Sequence, residues 1–301
     1  MQLAVILAVI IFVFVFFVSR LLIVPLKNVL KVVKKMSLGH LNQRIEVYGH
    51  DEFSELGSAF NDMSQKLERV EMTRQEFVSN VSHELKTPLS SVKVLGESLL
   101  LQENVPNEMY REFLMDINNE IDRMDSIINE LLTLVRLDQT EQPLNIGQFS
   151  ANKMVEDIVK RLSPLAETKN INLHLDEEEK LVTMEADEMK ISLAVSNIIE
   201  NAIKYTPHGG TVRVIIDADH QNAFITVSDT GIGIGDAEHE KIFNRFYRVD
   251  KTRQRETGGT GLGLSITQKT VLLHNGSIKL TSKENEGSTF VLRLPLHYVE
   301  D

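Results

Sequence analysis

The 301-residue chain contains no cysteine, which excludes disulfide frameworks, thiolate metal sites and cysteine nucleophiles. It also has no excess of positive charge outside its first fifty residues. The net charge is −11, yet residues 1–50 set Arg20, Lys27, Lys31, Lys34, Lys35 and Arg44 against Glu46 alone, so that segment is +5 and the remainder −16. An acidic body speaks against direct nucleic-acid binding, which needs a basic stripe to displace counterions. Charge is missing altogether from residues 3–18, which are consecutively apolar. What remains is ordinary: 42% hydrophobic and 25% charged residues over a length that suits about two domain-sized units.

The apolar run continues past Ser19 and Arg20 to Val24. A helix of about 24 residues is roughly 36 Å long, enough for a hydrocarbon core of about 30 Å. Arg20, near the end, reaches the headgroups by snorkelling. The cations follow the run and none precedes it, which predicts an outside N-terminus, a single-pass anchor in the cell membrane contacting lipid, and a cytoplasmic remainder. A cleaved signal peptide would instead need a basic start, a shorter apolar stretch and small residues at a cut site. The expected domains are a transmembrane helix over 1–24, a linker over 25–75, a helical hairpin over 76–142 and a mixed α/β domain over 147–301.

After Pro25, the residues Leu26, Val29, Val33 and Met36 recur at steps of three and four. Ser37, Gly39 and Asn42 break the pattern, and an extended connector carries Leu41, Ile45 and Val47. A second run, Phe53, Leu56, Phe60, Met63, Leu67 and Val70, starts beside Asp51 and Glu52, where acidic residues suit a helix N-terminus. Such seams need burial against other helices, which points to a bundle between copies of the chain. On Pro25, Gly39 and the string Asp51-Glu52-Phe53-Ser54-Glu55-Leu56, this segment resembles a HAMP linker.

Further along, Phe77, Val81, Leu85, Leu89, Val92, Leu95 and Leu99 share one helical face, and His83 lies about 200° from Val81, toward solvent. A second helix repeats Tyr110, Leu114, Ile117, Ile121, Met124, Ile128, Leu131 and Val135. Two such hairpins close a four-helix bundle. An imidazole accepts a phosphoryl group well, because one ring nitrogen attacks while a base holds the other. Glu84 is the natural carboxylate for that task. Thr87 lies one turn beyond His83, placed to orient a water, and Pro88 predicts a bend or loosening by withholding a hydrogen bond from Glu84. A lone exposed histidine would carry little weight, but Ser82-His83-Glu84-Leu85-Lys86-Thr87-Pro88-Leu89 closely resembles the phosphoacceptor box of sensor histidine kinases. The resemblance implies His83 as the phosphorylated residue, Glu84 as the base and Thr87 as a phosphatase residue.

The remaining chain predicts strands over 171–175, 212–216, 224–227, 278–281 and 289–294, with helices over 152–165, 187–202 and 262–274. Strands with helices on one side make a two-layer α/β sandwich. Four clusters suit a nucleotide. Asn197 and Asn201 share a helical face, with Lys204 and Tyr205 a turn on, so amide oxygens for Mg²⁺, a cation for phosphate and an aromatic face for a base stand together. Asp229 with Gly231 and Gly233 ends a strand, where a carboxylate accepts from an amino group and glycines admit close approach. Arg245 and Arg248 precede a polar stretch to Glu256 that reads as a lid. Gly258, Gly259, Gly261 and Gly263 open a helix, exposing amide N–H groups to phosphate oxygens. A dinucleotide fold fails because no buried strand precedes the glycines, and a P-loop fails because no Gly-Lys-Ser/Thr follows.

In order, these clusters look like the N, G1, F and G2 boxes of the histidine-kinase catalytic domain, followed by Gly287-Ser288-Thr289-Phe290. The resemblance implies Asn201 as the Mg²⁺ ligand with Asn197 assisting, Lys204 and the arginines on phosphate, Tyr205 on adenine, Asp229 on the adenine amine, and Gly261 and Gly263 as a hinge. It also implies ATP, a homodimer and a response-regulator receiver domain as partners. Where the similar gyrase-type ATPases carry a water-activating glutamate, this chain has Asn197, a poor base. ATP should therefore be held until His83 arrives. A scaffold with a decayed ATP site and a conformational ATPase are the alternatives. Intact Asn201, Asp229, Gly261 and Gly263 disfavour the first, and Asn197 disfavours the second.

Overall fold

A computed structural model describes residues 2–47, 51–101, 106–138, 144–176, 181–249 and 259–298. The stretch expected to form a lid up to Glu256, together with Gly258, falls outside these residues apart from Val249. Two compact units partition the chain, residues 1–82 and 83–301.

In the first unit, helix α1 spans Gln2–Ser37 without interruption. The sequence reading begins the linker at Pro25, and the helix runs on through that point to Ser37. Its segment Gln2–Arg20 is long and apolar enough to cross a membrane, and none of it is buried within the chain. Helix α2 spans Glu52–Leu101. Asp51 caps it, its Oδ1 accepting from Ser54 N at 2.9 Å and from Ser54 Oγ at 2.8 Å, contacts that hold this carboxyl below the usual aspartate range.

The connector of residues 38–47 lies along α2, but not on the apolar seam. Asn61 holds Ile45 at both ends, Oδ1 accepting from Ile45 N at 2.8 Å and Nδ2 donating to Ile45 O at 2.9 Å. Ser64 Oγ donates to Leu41 O at 3.0 Å, and Arg44 reaches Ser64 Oγ at 2.8 Å and pairs with Glu68. Gly57 completes this stripe, since an added Cβ would come within 3.0 Å of Val47. The connector therefore docks on a small, polar face of α2, giving its unpaired backbone groups side-chain partners. The seam itself stays open, with Leu56 and Met63 48% and Leu67 44% exposed.

In the second unit, α2 continues as helix past Pro88, and α3 spans Asn107–Asp138. Leu89, expected on the apolar face, is 58% exposed, whereas Pro88 is buried. Along α3 the buried residues are Ile127, Leu134 and Leu137, not the seam read from the sequence. Seam members Leu114, Ile121 and Ile128 are exposed.

The α/β domain begins with β1 (Gly147–Ser150) and α4 (Ala151–Thr168). It continues through β2 (Asn172–Asp176), β3 (Thr183–Ala186), α5 (Glu188–Tyr205), β4 (Thr211–Ala218) and β5 (Asn222–Asp229). It ends with α6 (Gly263–Leu273), β6 (Ser277–Lys283) and β7 (Gly287–Pro295). The five-stranded sheet has the order β2-β4-β5-β7-β6, with β2 and β4 parallel and the other pairs antiparallel. A separate antiparallel pair joins β1 to β3. Strict alternation on β4 and β5 buries Val212, Val214, Ile216, Ala223, Ile225 and Val227 on one face, against Val155 and Ile158 of α4 and Val195, Ile198 and Ile199 of α5. The expected two-layer sandwich is the architecture found. Side-chain caps fix where its helices start, Ser150 accepting from Lys153 N and Asp187 from Lys190 N.

Candidate functional site

His83 is exposed on α2, as its angular position predicts. Glu84 is half-buried, and among the described residues no hydrogen bond joins it to the imidazole, because consecutive helical residues point about 100° apart. Thr87 Oγ1 donates to His83 O at 3.2 Å, which anchors the hydroxyl one turn along while leaving its lone pairs free to accept.

The nucleotide cluster forms where α5 ends beside the loop after β5 and the start of α6. Strand β5 pairs with both β4 and β7, which fixes Asp229 at the end of a central strand. Its Oδ1 accepts from Gly231 N at 2.8 Å and Ser288 N at 3.2 Å. Burial raises this carboxyl above the ordinary aspartate range, and the two N–H donors partly oppose that. The other carboxylate oxygen has no hydrogen bond among the described residues and is open to an external donor. Gly231 is required by crowding, since a Cβ there would meet Asp229 Oδ1 at 2.6 Å and Tyr205 O at 2.7 Å. Gly233 lies in the same loop, and Gly263 opens α6.

On α5, Asn197 and Asn201 do separate work. Asn197 Nδ2 donates to Gly263 O at 3.2 Å and ties α5 to the first turn of α6. The half-buried Asn201 amide makes no hydrogen bond among the described residues, so its oxygen is the one available to a ligand. Among those residues no group of three His, Asp or Glu is placed to chelate a metal. A divalent ion would be held by an amide oxygen and its substrate's phosphates, the habit of Mg²⁺. The residues present fit that ion.

Lys204 is half-buried and its ammonium is pushed down to about 8, by burial first and then by the Arg248 guanidinium. A cation so placed lacks a full anionic partner. The ammonium sits 5.4 Å from the ring centroid of Tyr205, so that ring offers its remaining surface to a base. Arg248 donates to Gly259 O. Gly259 is pressed against Lys204, whose Nζ a Cβ would meet at 2.2 Å. Gly261 needs φ +75°, and a Cβ there would lie 2.9 Å from Phe246 Cα. Arg245 does not join this cluster. Its guanidinium grips Asp138 of α3 at 2.8 and 2.9 Å.

Four residues missed by the sequence reading bear on the site. Thr260 donates to Glu130, and Asp138 binds Lys269 as well as Arg245. The signal was present: Ile127, Glu130, Leu134 and Leu137 recur at steps of three and four, a second stripe on α3 beside the seam.

Comparison with known proteins assigns the class. Residues 17–69 match the HAMP domain, 73–140 the His Kinase A (phospho-acceptor) domain, and 186–298 the histidine kinase-, DNA gyrase B- and HSP90-like ATPase family. That order defines a two-component sensor histidine kinase, and the chain belongs to this family. It is 33% identical to the sensor histidine kinase MtrB of Mycobacterium leprae over 287 residues, covering 93% of this chain and 51% of that protein. It is 39% identical over 227 residues to the sensor-like histidine kinase SenX3 of Mycolicibacterium smegmatis, covering 75% and 59% respectively. The chain thus spans about half the length of the curated relatives it matches. Among solved structures, full-length ShkA in complex with AMPPNP superimposes with TM-score 0.57 at 25% identity, over 75% of this chain and 47% of that one. The ATPase-family domain implies ATP binding.

Proposed function

We propose that the chain is the signalling part of a membrane-anchored kinase that moves the γ-phosphoryl group of ATP onto His83. The observation that carries this reading is an exposed imidazole in a phosphoacceptor string, on the same chain as an ATPase-type fold whose equivalent of a hydrolytic base is an amide. In the adenine end, the open oxygen of Asp229 accepts from the exocyclic amine, and Tyr205 covers the ring. Lys204 and Arg248 neutralise phosphate, and the Asn201 oxygen holds Mg²⁺ with Asn197 bracing the loop. Bound Mg²⁺ supplies neutralisation of the charge that develops on the bridging oxygens. ShkA, similar in fold, has been crystallised with an ATP analogue, which supports this placement.

His83 attacks the γ-phosphorus through one ring nitrogen. The bond to the bridging oxygen breaks, ADP leaves, and Glu84 takes or stabilises the proton on the other nitrogen after a rotamer change. A receiver-domain aspartate of a response regulator then accepts the phosphoryl group. With the kinase off, the Thr87 hydroxyl orients a water that removes it from the regulator. The open seams of α2 and α3 are the faces on which a second copy closes the bundles, and α1 holds the assembly in the cell membrane with the kinase in the cytoplasm.

The test is incubation of the detergent-solubilised chain with γ-labelled Mg·ATP. Acid-labile label is expected on the wild type and absent from His83→Gln. Equal labelling of both would overturn the assignment.

A further inference from the structure

Helix α3 presents two stripes. One is the open seam; the other, Ile127, Glu130, Leu134, Leu137 and Asp138, faces the ATPase domain and carries the helix onto α6. Two polar contacts fasten that face. Thr260, itself buried between Gly259 and Gly261, donates its hydroxyl to Glu130. Eight residues on, a little over two turns, Asp138 holds both Arg245 and Lys269. The first contact falls on the glycine-rich segment whose N–H groups are suited to phosphate. Gly259 there is pressed on the Lys204 ammonium and also receives Arg248.

We propose that Glu130 is an intramolecular competitor for the nucleotide's phosphates: its carboxyl occupies Thr260 beside Lys204, so the docked α3 and a bound triphosphate exclude one another. The clamp at Asp138 holds the competitor in place and keeps Arg245 engaged. The arrangement is costly in itself, which makes it displaceable. Glu130 is buried enough that its carboxyl lies above the ordinary glutamate range, opposed by the Thr260 hydrogen bond and by Lys204, while Glu200 adds to the cost. Lys204, correspondingly, is compensated incompletely by Glu130 against burial, Arg248, Lys169 and Arg123. A triphosphate, with more charge than one carboxyl, neutralises those cations better. By linkage, whatever loosens α3 raises nucleotide affinity, and nucleotide loosens α3.

This inference rests on the ATP reading above, and the test separates the two. Binding of Mg·ATP and of adenosine to the full chain in detergent is measured by calorimetry for the wild type and Glu130→Ala, a substitution favourable to helix. Loss of a hydrogen-bonded carboxyl competitor is expected to tighten Mg·ATP by about tenfold and to leave adenosine unchanged. Equal or weaker Mg·ATP binding by the variant overturns the proposal. Tightening of both ligands alike also overturns it, because relief would then not be specific to phosphate. Failure of the wild type and the variant to bind Mg·ATP at all would sink the ATP reading itself. Should Glu130→Ala not fold, Asp138→Asn on the exposed rim decides. It is expected to tighten Mg·ATP by about two- to threefold, and an unchanged affinity refutes the latch.

Discussion

The ATPase domain and the helical segments before it solve burial in opposite ways. The domain closes its own core: β4, β5 and β7 alternate so that one sheet face is entirely covered by α4, α5 and α6, and Ile198, Ile199 and Ile225 are wholly inaccessible. The helices leave their best apolar stripes open. On α2 the connector takes the polar face of Gly57, Asn61 and Ser64, and Leu56, Met63 and Leu67 remain uncovered. A catalytic unit that must keep one geometry is self-sufficient. A signalling segment whose seams wait for another helix can adopt alternative packings, and that is what a switch needs.

The sharpest way to break this comparison is a pair of truncations. Ile199→Ala should destabilise the ATPase domain by about 2–5 kcal/mol, read as a lowered denaturation midpoint. Leu67→Ala should leave that midpoint unchanged and instead weaken self-association, read by analytical ultracentrifugation in detergent. A large stability loss from Leu67→Ala would mean the seam is already covered within one chain.

Within the domain, Asp229→Asn removes the buried acceptor and should weaken Mg·ATP by roughly 10- to 100-fold, with the fold intact by circular dichroism. An unchanged dissociation constant would show that Asp229 serves only Gly231 and Ser288. In the helical part, Asn61→Ala loses both bonds to Ile45 and should cost about 1–3 kcal/mol of connector docking, seen as faster amide exchange over residues 41–47. Exchange as slow as in the wild type would mean apolar contacts alone seat the connector.

The smallest effect concerns pH. Buried His274 accepts from Asp187 N at 3.1 Å through Nε2, while Nδ1 faces Thr270 O at 2.8 Å, and burial lowers its basicity. The folded state thus keeps the ring neutral. Its contribution is complete above the unfolded histidine value of about 6.5 and is lost as pH falls from there toward the depressed folded value, where the native ring too is protonated. The thermal midpoint should therefore drop modestly on acidification, and His274→Gln should flatten that slope. A slope unaltered in the variant would locate the sensitivity elsewhere.

Much of this was readable in the residues. Every expected strand of the main sheet meets an observed one, four lying wholly within theirs and 171–175 starting one residue ahead of β2, because buried β-branched runs alternate strongly. The exposure of His83 followed from helical angle alone. Strands β1 and β3 escaped notice since four residues such as Gly147–Ser150 are too short to show a period. Which face of α2 the connector covers was also illegible, because hydrogen bonding by Asn61 and Ser64 decides it and hydrophobicity does not. Arg245 was assigned to phosphate by position in a motif, whereas its partner Asp138 is 107 residues away in sequence, a distance no local pattern spans. For the same reason, the seam of α3 was read and its second stripe was not.

The central claim is that one imidazole receives the phosphoryl group. Neutral-pH mass spectrometry of the chain after incubation with Mg·ATP addresses it most directly. The account predicts a phosphoramidate on the peptide containing His83, lost on brief acid treatment. A modification on any other residue, or inorganic phosphate released steadily with His83 unmodified, would contradict it.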